Sequence, residues 1–547
     1  MEKVAATLLR FPPEGQEIES LSDDVYDQQI KIHAGRIQNL FKEHVNIIAA
    51  HATELLDSLD PAVHTYSYLA LLDTIIPTEF ALYASVQPVV ANKIAALLTA
   101  FDPRQVRYIG SAFTHVFTAV GSGKIIPAPL AVELLAHALA SIDPSGRMLT
   151  SNHLVLAKLA YHTNNAAVAL PVLSRDIVFF PGMAAAHRDG ERLSSRTLAP
   201  PSYISKDTGL TLPLKSTQVL EFDFVLGLLH LSVRAWAPAH AAFARVVSHP
   251  TRDNGASLIM VDAHKFWVLT GLLLFGHVAN CPPQTSASAS RICASINKLY
   301  GHIANAFQIA SAETLQLEVA MGHDTLASDN TLSLATEVVA AHPKWQIAHL
   351  RRIYTTISVA AICEKLRNPA PGKSANAAAA RVPNPDMVDD AAALSEADVT
   401  ALIRDMIESG MIKAALRQAE PTTATDSSSK TTAAASSAVD DVDGTQNQRE
   451  GGAYLEFLPE AEDMTEAEFG QRIGVIEARI QALKPLHAAT EEHLTLNRDY
   501  IRQHIRDALR EKDRAAAGDD DSMGGMLNYD VDPDEDLMMD GPEPADH

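Results

Sequence analysis

Apolar residues recur at helical spacing along most of the chain. From about Ser22 to Leu366, segments of roughly 8–20 residues each carry one apolar stripe, and Pro, Gly, Asn or Asp separates one segment from the next. Helices with one apolar stripe pack in pairs, and pairs stack into a right-handed superhelix of the tetratricopeptide kind. We therefore predict an all-α fold of TPR-like helical repeats over residues 1–347, although no strict repeat period is visible. The predicted helices include Asp23 to Leu59 (as two helices), Val63 to Leu72, Val89 to Thr99, Pro103 to Val120, Pro129 to Ala140, Asn152 to Tyr161 and Ala166 to Leu173.

One predicted hairpin, Glu221 to Pro250, is clearer than the others. Its small residues would let two helices approach closely, and its aromatic and aliphatic residues would fill the remaining space. We interpret these residues as core rather than as a ligand pocket. They are Gly227, Ala239, Ala242, Phe222, Leu226 and Phe243.

The pattern changes over residues 348–460. Leu350 to Leu366 is predicted as a core helix with Leu350, Ile353, Tyr354, Ile357 and Ala361 on one stripe. A second helix begins at Ser395, where Asp398 completes the cap and Leu394 can pack on Val399. Its buried stripe is predicted to contain Val399, Leu402, Ile403 and Met406.

Strand-like segments follow this second helix. Gly410 is a left-handed helix stop, Met411 to Leu416 reads as a strand, and Ala453 to Pro459 reads as its partner. Two helices followed by two strands predict a winged helix. Low-complexity insertions at 368–390 and 420–452 fall at its loop positions and are predicted to be disordered.

The charge of this winged helix is wrong for DNA. A DNA-binding winged helix presents Arg, Lys, Asn or Gln from its second helix to the groove and the phosphates. Here that helix carries a net negative charge, which repels phosphates and favours protein binding. Its charged residues are Glu396, Asp398, Arg404, Asp405 and Glu408.

Residues 461–514 are predicted to form C-terminal helices. Thr465 and Glu468 make a capping box, Met464 can pack on Phe469, and Pro485 should break or kink the helix. A heptad seam indicates a bundle with helices of other subunits; the alternative is a helix folded back on its own domain. The seam contains Phe469, Ile473, Ile476, Ile480 and Leu483, and a second stripe contains Leu494, Ile501, Ile505 and Leu509.

Composition narrows the class of protein. The chain has 547 residues, 47% of them apolar, and a formal net charge of −23 that argues against nonspecific binding to nucleic acid or anionic membranes. Eleven Asp or Glu and no Lys or Arg follow Arg514, so residues 515–547 are predicted to be a disordered acidic tail. Three cysteines without a C-x-x-C pair suit a reducing compartment. The sequence shows no signal peptide or spanning run, and we expect a protein of the cytoplasm and nucleus.

Motifs for catalysis and cofactor binding are missing from the sequence. H-E-x-x-H, the phosphate loop G-x-x-x-x-G-K-[ST], G-x-G-x-x-G and G-x-S-x-G are all absent, and Gly121 to Lys124 reads as an interhelical turn. Cys281, Cys293 and Cys363 have no activating basic cluster and are interpreted as structural thiols. We predict no catalytic, metal or cofactor site.

Helical repeats, a winged helix and C-terminal helices occur in this order in PCI-domain subunits, so the chain resembles that family. PCI subunits build the proteasome lid, the COP9 signalosome and translation initiation factor three. Three segments, the hairpin after Glu221, IYTTISVAAICEKL and MIESGMIKAAL, resemble the COP9 signalosome members that occupy the third-subunit position. The similarity runs from about Glu221 to Leu509.

The resemblance implies a noncatalytic scaffold in a complex that removes the ubiquitin-like modifier Nedd8 from cullins. It implies a hetero-oligomer of PCI subunits, with the first and eighth as neighbours, whose wing strands pair edge to edge and whose C-terminal helices form one bundle. The bundle contacts would fall on the five seam residues. The edge contacts would fall on Met411, Ile412, Ala414, Leu416, Tyr454, Leu455, Phe457 and Leu458.

Three alternatives stay open at this point. The chain could be a scaffold of the proteasome lid or of the initiation factor, which the identity of copurifying subunits would decide. It could be a PCI adaptor in messenger RNA export, which would need a basic groove. It could also be an enzyme with an unfamiliar site.

Overall fold

The computed structural model describes residues 2–13, 21–77, 80–181, 193–250, 255–308, 312–367, 395–418, 453–458 and 466–495, together with 501–502, 505–506 and 509. The chain divides into two units, Met1–Val475 and Ile476–His547. Helices dominate the described residues, and this confirms the predicted all-α repeat fold class. Both low-complexity insertions, the acidic tail, Leu394, Met464 and Thr465 lie outside the described residues.

Short helices follow one another through the repeats. They are α1 (Glu2–Leu8), α2 (Asp23–Asp57), α3 (Thr65–Ile75), α4 (Pro88–Thr99), α5 (Pro103–Val106), α6 (Gly110–Gly121), α7 (Ala128–Ile142), α8 (Ser151–His162), α9 (Ala166–Leu173), α10 (Pro200–Tyr203), α11 (Ser216–Ser232), α12 (Trp236–Val247), α13 (Leu258–Phe275), α14 (Ala287–Ile296), α15 (Lys298–Gln308), α16 (Ala312–Met321), α17 (His323–Ser328) and α18 (Leu332–Leu350), with a 3-10 helix at Phe80–Ser85.

A smaller group of helices and strands follows the repeats. Its members are β1 (Thr356–Ser358), α19 (Val359–Arg367), α20 (Glu396–Glu408), β2 (Ala414–Gln418), β3 (Ala453–Phe457) and α21 (Glu466–Thr495).

Most of the predicted helices in the first 180 residues match the observed ones, but Pro103 to Val120 is two helices, α5 and α6, because the backbone at Ile109 is not helical. Non-helical backbone at His44 and His51 interrupts α2, as expected for a segment read as two helices. The stretch from Gly121 to Lys124 is a turn between α6 and α7, with Gly123 at a φ of 69°.

One type of turn recurs between the helices of a pair. Asn164, Arg234 and Asn330, each the second residue after a helix, have a positive φ near 55°. In each case the next N–H donates back to a carbonyl five residues earlier, as when the N–H of Ala235 donates to the His230 carbonyl at 3.0 Å. This left-handed turn satisfies the last carbonyls of the first helix and starts the second helix at once.

The hairpin of α11 and α12 is core, as predicted. A Cβ on Gly227 would lie 2.6 Å from the ring of Phe243, so the glycine permits the close approach of the two helices. Phe243 in turn stacks on Phe266 of α13, with ring centroids 5.3 Å apart. Ala239 and Ala242 are fully buried beside them.

Helix α13 is the central helix of this part of the repeats. It is long and apolar enough to cross a membrane by length and composition, yet most of it is buried inside the fold, where it contacts α12, α15 and α18. Met260, Leu269 and Leu272 are fully buried there. Its apolar length therefore reflects packing on both sides.

One predicted helix is wrong. Leu350 to Leu366 contains the end of α18, a turn, β1 and α19 rather than one helix. The β-branched run around Thr355, Thr356 and Ile357 pairs with β3 instead, and Ile353 is left exposed in the turn. β-Branched side chains fit a pleated strand better than a helix, and pairing with β3 makes this segment a strand.

We expect Gly227→Ala to lower the melting temperature of the purified chain. Phe243 is fully buried and stacked, so it cannot move away from an added methyl group, and overpacking of this kind costs about 1–3 kcal/mol. Gly301→Ala is the matched control, because Gly301 is helical, exposed and has open space around its Cβ direction. It should stabilise the chain by about 0.5–1 kcal/mol. Equal changes in melting temperature for the two substitutions would contradict the close approach of α11 and α12 at Gly227.

We also expect the chain to lose stability as the pH falls from 6.5 to 4. Burial lowers the pKa of His33, His153 and His264 to about 4 from an ordinary 6.5. Between these values the unfolded chain binds protons that the folded chain does not, so each histidine removes about 1.4 kcal/mol per pH unit. Thermal unfolding between pH 7 and pH 4.5 measures this loss. His264→Gln should make the decline shallower, and an unchanged slope would contradict the assignment.

Candidate interaction surfaces

Both ends of helix α20 are formed by local contacts that the sequence predicts. The Ser395 hydroxyl accepts a hydrogen bond from the Asp398 N–H (3.2 Å), and the Asp398 carboxylate accepts one from the Ser395 N–H (3.1 Å). The Ser395 hydroxyl also donates to the Asp398 carboxylate (2.7 Å), and this bond together with the one from the Ser395 N–H lowers the pKa of Asp398. At the other end Gly410 has a φ of 73°, and the Met411 N–H donates to the Met406 carbonyl. The helix is thereby fixed at both ends.

Helix α20 buries one side and exposes an acidic one. Val399, Ile403 and Met406 are fully buried, and Leu402 is partly buried, as predicted. Its charged residues are all exposed, and the Asp405 carboxylate pairs with Lys344 of α18. One cation against four carboxylates leaves a surface that repels phosphates. The residues on that surface are Glu396, Asp398, Arg404, Asp405 and Glu408.

The three strands form one antiparallel sheet in the order β1-β3-β2. Strand β3 therefore lies in the middle and pairs on both sides, with Leu455 opposite both Ile357 and Leu416. The prediction that Tyr454 to Leu458 offers a free edge is wrong. Strand β1, which lies within the segment predicted as a core helix, pairs with the other side of β3. Among the described residues, strand β2 is one free edge of this sheet and β1 is the other.

Register determines which backbone groups of β2 are free. The Leu458 N–H donates to the Lys413 carbonyl (2.9 Å), and the Phe457 N–H donates to the Thr355 carbonyl (2.8 Å). Because antiparallel pairs alternate, Ala415 and Arg417 face β3. The backbone N–H and C=O groups of Ala414, Leu416 and Gln418 consequently point away from the sheet, where another strand could pair with them.

Most of the predicted edge residues have side chains in the core of the winged helix. Ile412, Ala414, Leu455 and Phe457 are buried there with Ile357 and Ile362. Met411, Leu416 and Tyr454 are partly buried, and Leu458 is exposed. Met411 and Ile412 also precede β2 and take part in the end of α20, where both N–H groups donate to the Met406 carbonyl. An edge contact would therefore use the backbone of β2 rather than these side chains.

The heptad seam on α21 is exposed. Its five residues are between 41% and 57% exposed, far more than apolar residues of a helix packed in a core. Of the break or kink predicted at Pro485, the break does not occur, because helix α21 continues from Glu466 to Thr495. The residues concerned are Phe469, Ile473, Ile476, Ile480 and Leu483, and Ile501, Ile505 and Leu509 are exposed as well.

Among the described residues, the cysteine side chains and several histidine side chains that could react or bind a metal take part in the packing of the fold. No group of three or more His, Cys, Asp or Glu is placed to hold a metal ion among these residues. Cys293 and Cys363 are buried free thiols, Cys281 is half-buried, and burial raises the pKa of Cys293. Several histidines are buried partners of other side chains, such as His33, which contacts the Ser67 hydroxyl at 2.9 Å.

Comparisons with known proteins agree with this arrangement. A family model described as COP9 signalosome complex subunit 3, N-terminal helical repeats, matches residues 31–186. COP9 signalosome complex subunit 3 of Neurospora crassa is 32% identical over 98% of this chain and 99% of its own length. The Emericella nidulans protein of the same name is 27% identical over 67% of this chain and 74% of its own length.

A more distant relative shows the same similarity outside fungi. COP9 signalosome complex subunit 3 of Drosophila melanogaster is 23% identical over 57% of this chain and 67% of its own length. The Neurospora similarity spans the first two hundred residues too, where the sequence alone showed only helices. The resemblance drawn from the hairpin and the winged helix is thus confirmed, and the chain belongs to the COP9 signalosome complex subunit 3 family.

Proposed function

We propose that this chain is a noncatalytic scaffold subunit of a COP9 signalosome, the complex that removes Nedd8 from cullins. Family membership supports the proposal, and the observation that carries it is the exposed seam of α21. Five large apolar side chains at heptad spacing on one helix are a surface for partner helices.

The free edge of β2 supplies a second docking surface. Three residues in alternation present unpaired N–H and C=O groups, which form a template for a neighbouring strand. The backbone edge gives affinity for any strand, whereas the seam can select its partner by shape. A scaffold with both can hold two neighbours at once.

The proposed neighbouring subunits and location in the cell follow from the family resemblance. We propose that the neighbours are the PCI subunits in the first and eighth positions, and that the chain works in the cytoplasm and nucleus. The exposed side of α20 carries one cation, Arg404, against four carboxylates, which argues against a nucleic-acid adaptor. Copurification with the tagged chain tests the assembly: COP9 signalosome subunits are expected, and proteasome lid or initiation factor subunits in their place would overturn the proposal.

We expect Leu416→Pro to weaken binding of the neighbour that pairs with β2. Proline removes the outward N–H of Leu416 while leaving the bonds between β2 and β3 in place, so the chain itself should stay folded. Leu416→Ala is the matched control, because it shortens the side chain and keeps the N–H. Coprecipitation should fall at least about tenfold for proline relative to alanine, given about 0.5–1.5 kcal/mol for each lost bond plus misfit of the paired strand. Equal recovery from both variants would count against edge pairing.

We expect Ile476→Asp combined with Ile480→Asp to abolish assembly without lowering the melting temperature of the purified chain. Each seam residue would contribute about 1.5–3 kcal/mol if buried between subunits, and an aspartate there would be desolvated without a partner. Gln471→Asp with Ala478→Asp is the control, since it adds the same charge on the opposite side of α21.

Three results separate the possibilities for this seam. Lost partners with an unchanged melting temperature support the bundle. A large fall in melting temperature of the isolated chain would mean that the seam packs on its own domain. Normal assembly of the seam variant would show that α21 is solvated in the complex and would remove the main support for the scaffold role.

A further inference from the structure

An open groove lies on the helical repeats. It has a volume of about 540 Å³ and is bounded by α11, the start of α12, α13 and the turn from α17 into α18. The left-handed turn residue Asn330 lies on its border. This volume is within the range of ligand sites in proteins, about 300–1,000 Å³.

The floor of the groove is apolar and partly accessible. Phe224, Leu228 and Trp236 are only half-buried there, although residues of the same helices that face the core are fully buried. Phe224 is held by its edge against Phe266, with ring centroids 5.8 Å apart. An apolar side chain entering the groove would therefore meet preformed aromatic surface.

The rim carries more carboxylates than cations. Asp262, Asp329 and Glu337 line the groove with Lys265 as the one lining cation among the described residues. Lys265 bonds both aspartates at 2.9 Å and is mostly buried, whereas the Asp262 side chain is 52% exposed. Glu337 pairs with Arg234 across the groove border at 2.7 Å. With Arg234 counted, the groove border carries three carboxylates and two cations, a net charge of −1.

These ion pairs also hold the groove open. Lys265 of α13 bridges to Asp329 in the turn after α17, and the Tyr300 hydroxyl of α15 donates to the same carboxylate at 2.8 Å. The walls are therefore connected by bonds between different helices. A partner would bind a shaped surface instead of organising a loose one.

We propose that this groove binds an extended peptide segment of a partner protein in which bulky apolar side chains alternate with Lys or Arg. The apolar residues would cover Phe224 and Trp236, and a cation would approach Asp262 and Glu337. The charge argues against two other occupants. Phosphate groups would meet carboxylates, and the chain's own acidic end after Arg514 has eleven Asp or Glu and no cation to offer.

The test uses the purified full chain and a fluorescein-labelled, end-capped peptide of sequence Gly-Leu-Lys-Phe-Arg-Leu-Gly. Fluorescence anisotropy should show saturable binding that weakens as salt is raised from 50 to 300 mM. A peptide with Glu in place of both cations, and one with Ser in place of the three apolar residues, should each bind at least about tenfold more weakly. Unlabelled peptide should also change the fluorescence of Trp236, since Trp267 and Trp345 lie outside the groove lining.

Two variants locate the binding. Ser333→Phe places a ring into the groove from an exposed position on α18 and should abolish binding, while Ser295→Phe on α14, outside the lining, should leave the dissociation constant unchanged. Asp262→Asn with Glu337→Gln should raise the dissociation constant at least about tenfold and flatten its salt dependence.

The outcomes divide clearly. Binding that all these changes reduce as stated supports the proposal. Absence of saturable binding up to 1 mM peptide, binding insensitive to Ser333→Phe in a variant with normal melting, or equal binding of the acidic peptide would each overturn it.

Discussion

The pairing of β3 with strands on both of its sides constrains the whole winged helix. It brings β1, which follows α18, next to β3, although the two strands are nearly one hundred positions apart in the chain. It buries Leu455 and Phe457 under α20 and α19, and it leaves β2 with an unpaired row of N–H and C=O groups. Because β3 is saturated, any strand added from another subunit must join at β2 or at the short β1.

The repeats and the C-terminal helix use apolar residues in opposite ways. In α11, α12 and α13 the apolar residues face one another closely enough that Gly227 has no room for a Cβ, so these helices stabilise the chain by themselves. In α21 the apolar residues remain exposed at heptad spacing. A chain that fills one core to close packing and leaves another row of large side chains uncovered is built to be completed by partners.

Local signals in the sequence were sufficient where the structure depends on neighbours in the chain. The ends of α20 follow from Ser395, Asp398 and Gly410, and most helices of the first 180 residues follow from their own stripes. Local signals are not sufficient where pairing with a distant segment determines the structure. The segment Thr355 to Ile357 becomes a strand because β3 is beside it, and no local pattern reveals which strand is central. No local pattern predicts the groove either, since α8, α11, α12, α13, α17 and α18 all contribute to its lining.

Hydrogen exchange measured on the isolated chain and on the assembled complex tests the central claim most directly. Amides of Ala414, Leu416 and Gln418 point away from the sheet, and α21 has few buried side chains among those described, so both segments should exchange quickly in the isolated chain. In the complex, residues 414–418 and 466–484 should gain strong protection while the core of α13 stays unchanged. Equal exchange of both segments in the two states would contradict the view that the wing edge and the seam are where this chain meets its partners.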